Sequence, residues 1–329
     1  MTQIIALINS AIVFGTVILY GSVGEILTEK GGNLNLGLPG VMYMGGIGGL
    51  IGAFYYEKAL GSAAVPIVCV LIALICAMVA SFLSGLIFAF MTVTLRCNQN
   101  IMGLAFNIFA GGFANFYGGS LNQLSGGVGQ LRVGVTSNAF QTKIPFLSTN
   151  LGEFGRIIFS YGFLVYLSII LAFILRWFLN TTMVGLNLRA VGEDPASADA
   201  VGINVTKYKY LSTCIGACIS GLGGLYFVMD YQSGTWNSAG GIESNGWLAV
   251  ALVIFASWRP LRAIWGSYLF GILSWLYFYI SGLTRSSQEI FKMLPYIATL
   301  AVLIFVALQH KVENQPPKHL GLPYFREER

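Results

Sequence analysis

Apolar residues fall in long blocks along this chain, separated by short polar turns. Nine blocks run near 4–27, 37–56, 63–95, 100–117, 157–179, 209–231, 245–257, 261–281 and 289–309. A helix needs about 20 mostly apolar residues to cross a bilayer core. The pattern therefore predicts an all-α integral membrane protein with about nine transmembrane helices. Block 63–95 is too long for an upright span, and Pro66 near its start suits a first helical turn. It is expected to tilt or to begin among the headgroups. Block 245–257 is short, as a half-helix or part of a broken span buried in protein would be. A re-entrant piece within the polar stretch 118–156 would raise the count to ten.

Two hydrophilic stretches interrupt the blocks. One, Gly118–Arg156, is rich in Gly, Ser and Asn. It reads equally as a connecting loop or as a surface for an extracellular partner. The other, "GLNLRAVGEDPASADAVGINV", is Gly185–Val205, and it carries helix signals at both ends. Asp194 suits the N-cap, where its carboxylate accepts from free backbone N–H groups. Pro195 suits the first helical position, and Gly202 suits a left-handed stop. A helix over Pro195–Val201 is too short to stand alone in water, so it needs a surface to pack on. Ala196, Ala200 and Val201 offer a small apolar face, with charge from Arg189, Glu193, Asp194 and Asp199. Two readings remain open on residues alone: a helix lying on the protein's own end, and a docking helix for a soluble partner.

Composition agrees with a membrane solvent. The chain has 329 residues, 56% hydrophobic and 9% charged, with a mean hydropathy of +0.73. Soluble domains carry about 25% charged residues. The net charge of +5 does not point to nucleic acid, because positive charge beside spans follows from topology. Placing the C-terminus in the cytoplasm and the N-terminus outside sets twelve Lys and Arg inside and six outside. That bias supports the orientation. The N-terminus "MTQIIALINS" has neither a basic region nor a small-residue cleavage site, so the first block is expected to be retained.

Chemistry is sparse. The five cysteines form no CxxC pair, and the two histidines, His310 and His319, lie in the tail, so no metal site is expected. The chain has no G-x-x-x-x-G-K-[ST] phosphate loop and no Ser/His/Asp set. It is expected to be no enzyme and to hold no cofactor. Glu25, Asp230 and Glu289 sit at or near block ends, where interfacial solvation or capping explains them better than a proton relay. In "GLAFNIFAGGFANFYGG", Gly103, Asn107, Gly111, Asn115 and Gly119 recur every four residues on one helix face. Phe106, Phe109, Phe113 and Phe116 crowd the neighbouring faces. Asn in lipid is costly unless hydrogen-bonded, so this face looks into protein or a wet cavity. Helix packing and pathway lining both fit. Pathway lining would use Asn107, Asn115, Phe106, Phe109 and Phe113. Gly216, Ser220 and Gly224, and separately Gly45, Gly49 and Ala53, form small-residue seams for helix packing.

Several stretches together carry a resemblance. They are "GEILTEKGGNLNLGLPGVMYMGG", "GLNLRAVGEDPASADAVGINV", "WLAVALVIFASWRPLRAIWGSYLFG", "MLPY" and "LGLPYFREER". In this order, over almost the whole chain, they resemble permease subunits of ATP-binding-cassette (ABC) importers. The likeness is to the nucleoside and simple-sugar branch, related to ribose and branched-chain amino-acid permeases. The resemblance implies one transmembrane domain over 1–310 and a cytoplasmic tail over 311–329, in a bacterial cell membrane. It implies a coupling loop at about 180–208, with Arg189, Glu193, Asp194, Pro195, Ala196, Asp199, Ala200, Val201 and Gly202 at the ATPase contact. It implies four kinds of neighbour: a cytoplasmic ATPase holding ATP and magnesium, a second and often non-identical permease, an extracellular substrate-binding lipoprotein, and membrane lipid. The turn "NLNLGLPG", with Asn33, Asn35 and Pro39, would help form a cytoplasmic gate. The family often has Glu where this chain has Pro39; a second subunit would then retain it. Nucleosides are the implied solute. Simple sugars are the nearest alternative, and an ion-coupled secondary carrier is the alternative of another mechanism.

Overall fold

The fold is known from a computed structural model, which describes residues 2–124, 131–143, 160–237, 240–280, 282, 284–309 and 315–325. Helices dominate it, and the described residues hold no strand beyond one isolated bridge, Arg132 to Thr235. In chain order the helices are α1 (Thr2–Lys30), α2 (Leu38–Leu60), α3 (Pro66–Ala89), α4 (Gln99–Leu124) and α5 (Gly134–Phe140). Then come α6 (Phe163–Thr181), α7 (Met183–Glu193), α8 (Pro195–Ala200) and α9 (Val205–Tyr226). The last are α10 (Gly241–Phe255), α11 (Pro260–Tyr279), α12 (Arg285–Phe291) and α13 (Leu294–Gln309). A π-helical turn ends both α3 (Phe90–Thr94) and α9 (Phe227–Tyr231).

Five described helices are long and apolar enough to span a membrane, or six if α12 and α13, bent by 40°, form one span. The chain is thus multi-pass. The expected nine or ten is not reached on length and composition. Asn, Gln and Gly dilute the hydropathy of α4, and α10 has only 15 residues. That half-length helix packs against α1 and α2, as a broken span buried in protein does.

Helices α1, α2 and α9 form the centre, with α3, α10 and α11 around them. Glycine sets their spacing. A Cβ on Gly45 would strike the backbone of Gly221, and one on Gly224 would strike the Met42 carbonyl. Gly24 and Gly216 meet in the same way between α1 and α9. Both small-residue seams are therefore contacts within one chain. Close approach lets van der Waals packing hold helices that gain little from the hydrophobic effect in lipid.

Part of the 118–156 stretch is ordered protein rather than plain connector. Helix α4 runs on to Leu124, and α5 docks with Thr136, Ser137 and Phe140 fully buried. The Thr136 amide and hydroxyl both donate to Glu57 Oε1, at 2.7 and 2.6 Å. Residues 125–130 and 144–156 of that stretch lie outside the described residues.

Candidate functional site

Three capped helices build the polar island. Thr182 Oγ1 accepts from the Gly185 amide at 3.0 Å and starts α7. Asp194 then serves two helices. Its amide closes α7 on the Ala190 carbonyl at 2.9 Å, while its Oδ1 accepts from the Ala196 and Ser197 amides at 3.0 and 3.1 Å to open α8. The Ser197 hydroxyl also donates to Oδ2 at 2.5 Å, and these Ser197 bonds hold the Asp194 carboxyl below its ordinary pKa. Helix α8 ends at Ala200, with Val201 as its C-cap and Gly202 left-handed at φ +88°. Asn204 caps α9 by accepting from the Lys207 amide at 2.9 Å.

Six residues of helix need a floor, and α8 has one. Ala198 packs with Val191 and Val205 in a small apolar cluster, and Pro195 is buried beside it. Ala198 does not stand out in the sequence, because in so short a helix one alanine looks like another. The expected packing face of Ala196, Ala200 and Val201 is not the one that packs: with Ser197 they face outward, Val201 at 77% exposure, because Pro195 and Ala198 take the inner side.

The charged residues expected on the rim have other neighbours. The C-terminal segment folds back across the island. Tyr324 Oη donates to Asp199 Oδ2 at 3.0 Å, the Lys318 amide donates to Glu193 Oε2 at 3.4 Å, and the His319 amide donates to the Gly192 carbonyl at 3.1 Å. Gly321 ties the same strap to Gly32 at 3.3 Å, and Arg96 stacks on Phe325. Burial, aided by the Lys209 charge, lowers the His319 pKa. Arg189 is half-buried in a cavity beside α7 instead of lying on the open face. Residues 315–325 of the expected tail thus form a strap across the island. His310 lies outside the described residues.

The turn after α1 is a hub. Asn33 Nδ2 donates to the Lys209 carbonyl and to Thr213 Oγ1 of α9, the latter at 2.8 Å. The Leu34 amide donates to Gln99 Oε1 of α4 at 2.6 Å, and the Asn35 amide to Glu25 Oε1 of α1 at 3.1 Å. Asn35 Oδ1 turns the chain by accepting from Gly37 at 3.0 Å. Pro39, in the first turn of α2, sits against Gly246 of α10, where no Cβ would fit.

Glu25 is not solvated as expected, being only 1% exposed. Glu29, one turn later, is also buried and accepts from the Trp258 indole N–H. Trp258 and Ser257 form the joint between α10 and α11, both left-handed at φ +55° and +51°. Non-glycine residues pay for that conformation, so the Glu29 contact helps hold the joint. Replacing Trp258 with Phe leaves a buried carboxylate short of its donor, which costs about 1–3 kcal/mol. A drop in thermal unfolding temperature in detergent is the expected result, and an unchanged one would remove the joint from this account. Of the other two expected interfacial acids, Glu289 is exposed and pairs with Lys292 at 2.7 Å. Asp230 Oδ2 is buried with no hydrogen-bond partner among the described residues.

Helix α4 divides the proposed lining set. Phe106 points inward, packed with Val41 and Ala110, so it lines nothing open. Asn107 Nδ2 donates to Glu243 Oε1 at 3.1 Å, near the start of α10. The Asn107 and Asn115 Oδ1 atoms are buried without hydrogen-bond partners among the described residues. Phe109, at 58% exposure, Phe113 and Tyr117 form a ladder of rings with centroids 6.1 and 4.6 Å apart along the open side.

Residues 7–303 match the protein family described as branched-chain amino acid transport system / permease component. The guanosine ABC transporter permease protein NupQ of Bacillus subtilis is 30% identical to the chain, with 100% of this chain and 99% of NupQ aligned. The nucleoside ABC transporter permease protein NupC of Lactococcus lactis is 29% identical over 90% of each. A putative glucose ABC transporter permease protein, TsgC13 of Haloferax volcanii, is 30% identical over 98% of each. No solved structure matches the chain.

Proposed function

Because the chain belongs to the branched-chain amino acid transport system / permease component family, we infer that it is the membrane permease of an ABC importer for nucleosides. The observation that carries the solute is full-length similarity to two permeases named for guanosine and nucleosides. The chain provides part of a translocation pathway and no catalysis. A separate cytoplasmic ATPase, with ATP and magnesium, supplies the energy. A second permease completes the pore, and an extracellular binding protein delivers solute. The C-terminus and α8 face the cytoplasm of a cell membrane.

The outward face of α8 supports the coupling role. It is short, rigidly capped, floored by Ala198 and open on Ala196, Ala200 and Val201. An ATPase that moves during its cycle needs such a fixed handle. The turn at Asn33, Asn35 and Pro39 acts as the cytoplasmic gate, because its bonds reach α1, α4 and α9 and its proline abuts α10. The ring ladder Phe109–Phe113–Tyr117 offers π faces on which a nucleobase can stack. The unpaired carbonyls of Asn107 and Asn115 suit base or ribose donors if the helix opens onto the pathway.

The similarity to a putative glucose permease favours a second reading, in which the solute is a simple sugar. Uptake of radiolabelled guanosine, uridine, glucose and ribose by wild-type and gene-deleted cells separates the two. Loss of guanosine and uridine uptake with sugars unchanged is the expected result. Loss of sugar uptake alone would transfer the chain to the sugar branch.

A further inference from the structure

Glu243 is an acid without a cation. It lies in the first turn of α10 and caps no backbone amide there. Among the described residues its side chain has one hydrogen bond, from Asn107 Nδ2 at 3.1 Å, and no salt bridge. Its depth makes this costly. Helix α10 has 15 residues, about 22 Å of helix at 1.5 Å per residue. It runs to the Ser257–Trp258 joint, which Glu29 ties to the end of α1 that the strap covers. A bilayer core is about 30 Å thick, so α10 stops short of the far surface and Glu243 sits at the level of the apolar layer. The helix dipole favours an acid in the first turn. It does not require that acid to be exposed, as Glu243 is. Charged residues at such depth face protein or water-filled cavities and mark solute paths. Interrupted spans hold solute at the break in many transporters.

A cavity lies at that break. It measures about 670 Å³, within the range of about 300–1,000 Å³ usual for small-molecule sites. Glu243 and Ser244 give it a polar corner, while Trp247 of α10 and Tyr296 of α13 supply rings, Tyr296 at 44% exposure. Asn107 is only 6% exposed, and its Oδ1 has no hydrogen-bond partner among the described residues. A second acceptor therefore stands on the residue that holds the carboxylate. We propose that Glu243 selects the solute by accepting from two adjacent N–H groups of a base, as the guanine edge presents them. This rests on the nucleoside-importer reading above. An ionised carboxylate only accepts, at about four lone-pair sites on two oxygens, so Asn107 leaves room for a base. Guanine offers a ring N–H and an amine side by side; hypoxanthine and uracil offer no amine. The faces of Trp247 and Tyr296 stack on any base and set no such preference.

The test uses this chain purified with its paired permease and ATPase, without the binding protein, whose own selectivity would mask the effect. Saturation-transfer NMR, which reads weak binding, compares guanosine with inosine. Wild type should favour guanosine by about 10- to 150-fold, as a hydrogen bond to a charged group gives. Glu243→Gln keeps an oxygen for Asn107 and replaces the second acceptor by a donor, so the ratio should fall to near one. Tyr296→Leu should weaken both ligands and leave the ratio alone. If the glutamine form does not fold, Glu243→Asp serves: it keeps the charge, draws it back by one methylene and should still lower the ratio. No guanosine preference in wild type, or a ratio unchanged in the Glu243 variant, overturns the proposal. An unchanged ratio with loss of the paired permease assigns Glu243 to the subunit interface and overturns it too. ATP-driven uptake by the complete complex, binding protein included, runs in parallel. Guanosine uptake with no wild-type preference sinks this inference alone; uptake of no nucleoside sinks the importer reading with it.

Discussion

Uptake falls to the level of gene-deleted cells when the chain carries Asp194→Pro together with Ala200→Asp, while the protein still inserts and purifies. Both changes act on the island alone. The Asp194 amide closes α7, its side chain opens α8, and its φ is −150°. Proline has no N–H to donate, fixes φ near −65° and offers no capping oxygen, so the α7–α8 corner loses its definition. Ala200 lies on the exposed side of α8, where an aspartate puts a carboxylate under any partner that covers it. Leaving a charge buried and uncompensated costs about 3–5 kcal/mol, or roughly two to four powers of ten in affinity. Co-purification of the ATPase should fall by at least about 100-fold. Normal uptake with a normally bound ATPase would show that α8 is not the handle.

The second large effect lies in the seam between α2 and α9. Gly224→Ala should cost at least about 1–3 kcal/mol by overpacking, because the new methyl would land on the Met42 carbonyl, which is backbone and cannot rotate away. Gly224→Leu should leave little folded protein. Gly112→Ala is the matched control: that glycine lies within a helix of the same chain and a Cβ there meets nothing within 4 Å. Size-exclusion profiles and melting temperatures in detergent compare the three. A Gly224→Ala protein as stable as the Gly112→Ala one would mean that the seam does not set the helix spacing.

The sequence makes the α8 ends legible because capping is local. Asp194, Pro195 and Gly202 each announce their position through their own backbone chemistry, and the observed helix ends one residue before the expected Val201. Small-residue seams are legible for a similar reason, since glycine repeated on one face has little other use in a span. Long-range contacts are not. The strap from Tyr324 to Asp199 joins residues 125 apart, and Trp258 reaches Glu29 across 229 positions. Nothing in the polarity of either neighbourhood names its partner. Glu25 and Glu29 fall one turn apart on α1, a spacing that could have hinted at a shared buried face. For Glu25, nearness to the helix end favours solvation instead, and Glu29 does not stand out. Phe106 was unreadable because lipid and protein core are both apolar, so hydrophobicity does not say which ring turns inward.

The energy source separates an ATP-driven importer from a secondary carrier. The measurement is guanosine uptake into proteoliposomes that contain this chain with its paired permease and ATPase, with the binding protein outside and no ion gradient. ATP sealed inside should drive accumulation, a non-hydrolysable analogue should not, and a protonophore should change nothing. Accumulation that ignores ATP and follows an imposed proton or sodium gradient would make the chain a secondary carrier and contradict the role given to α8.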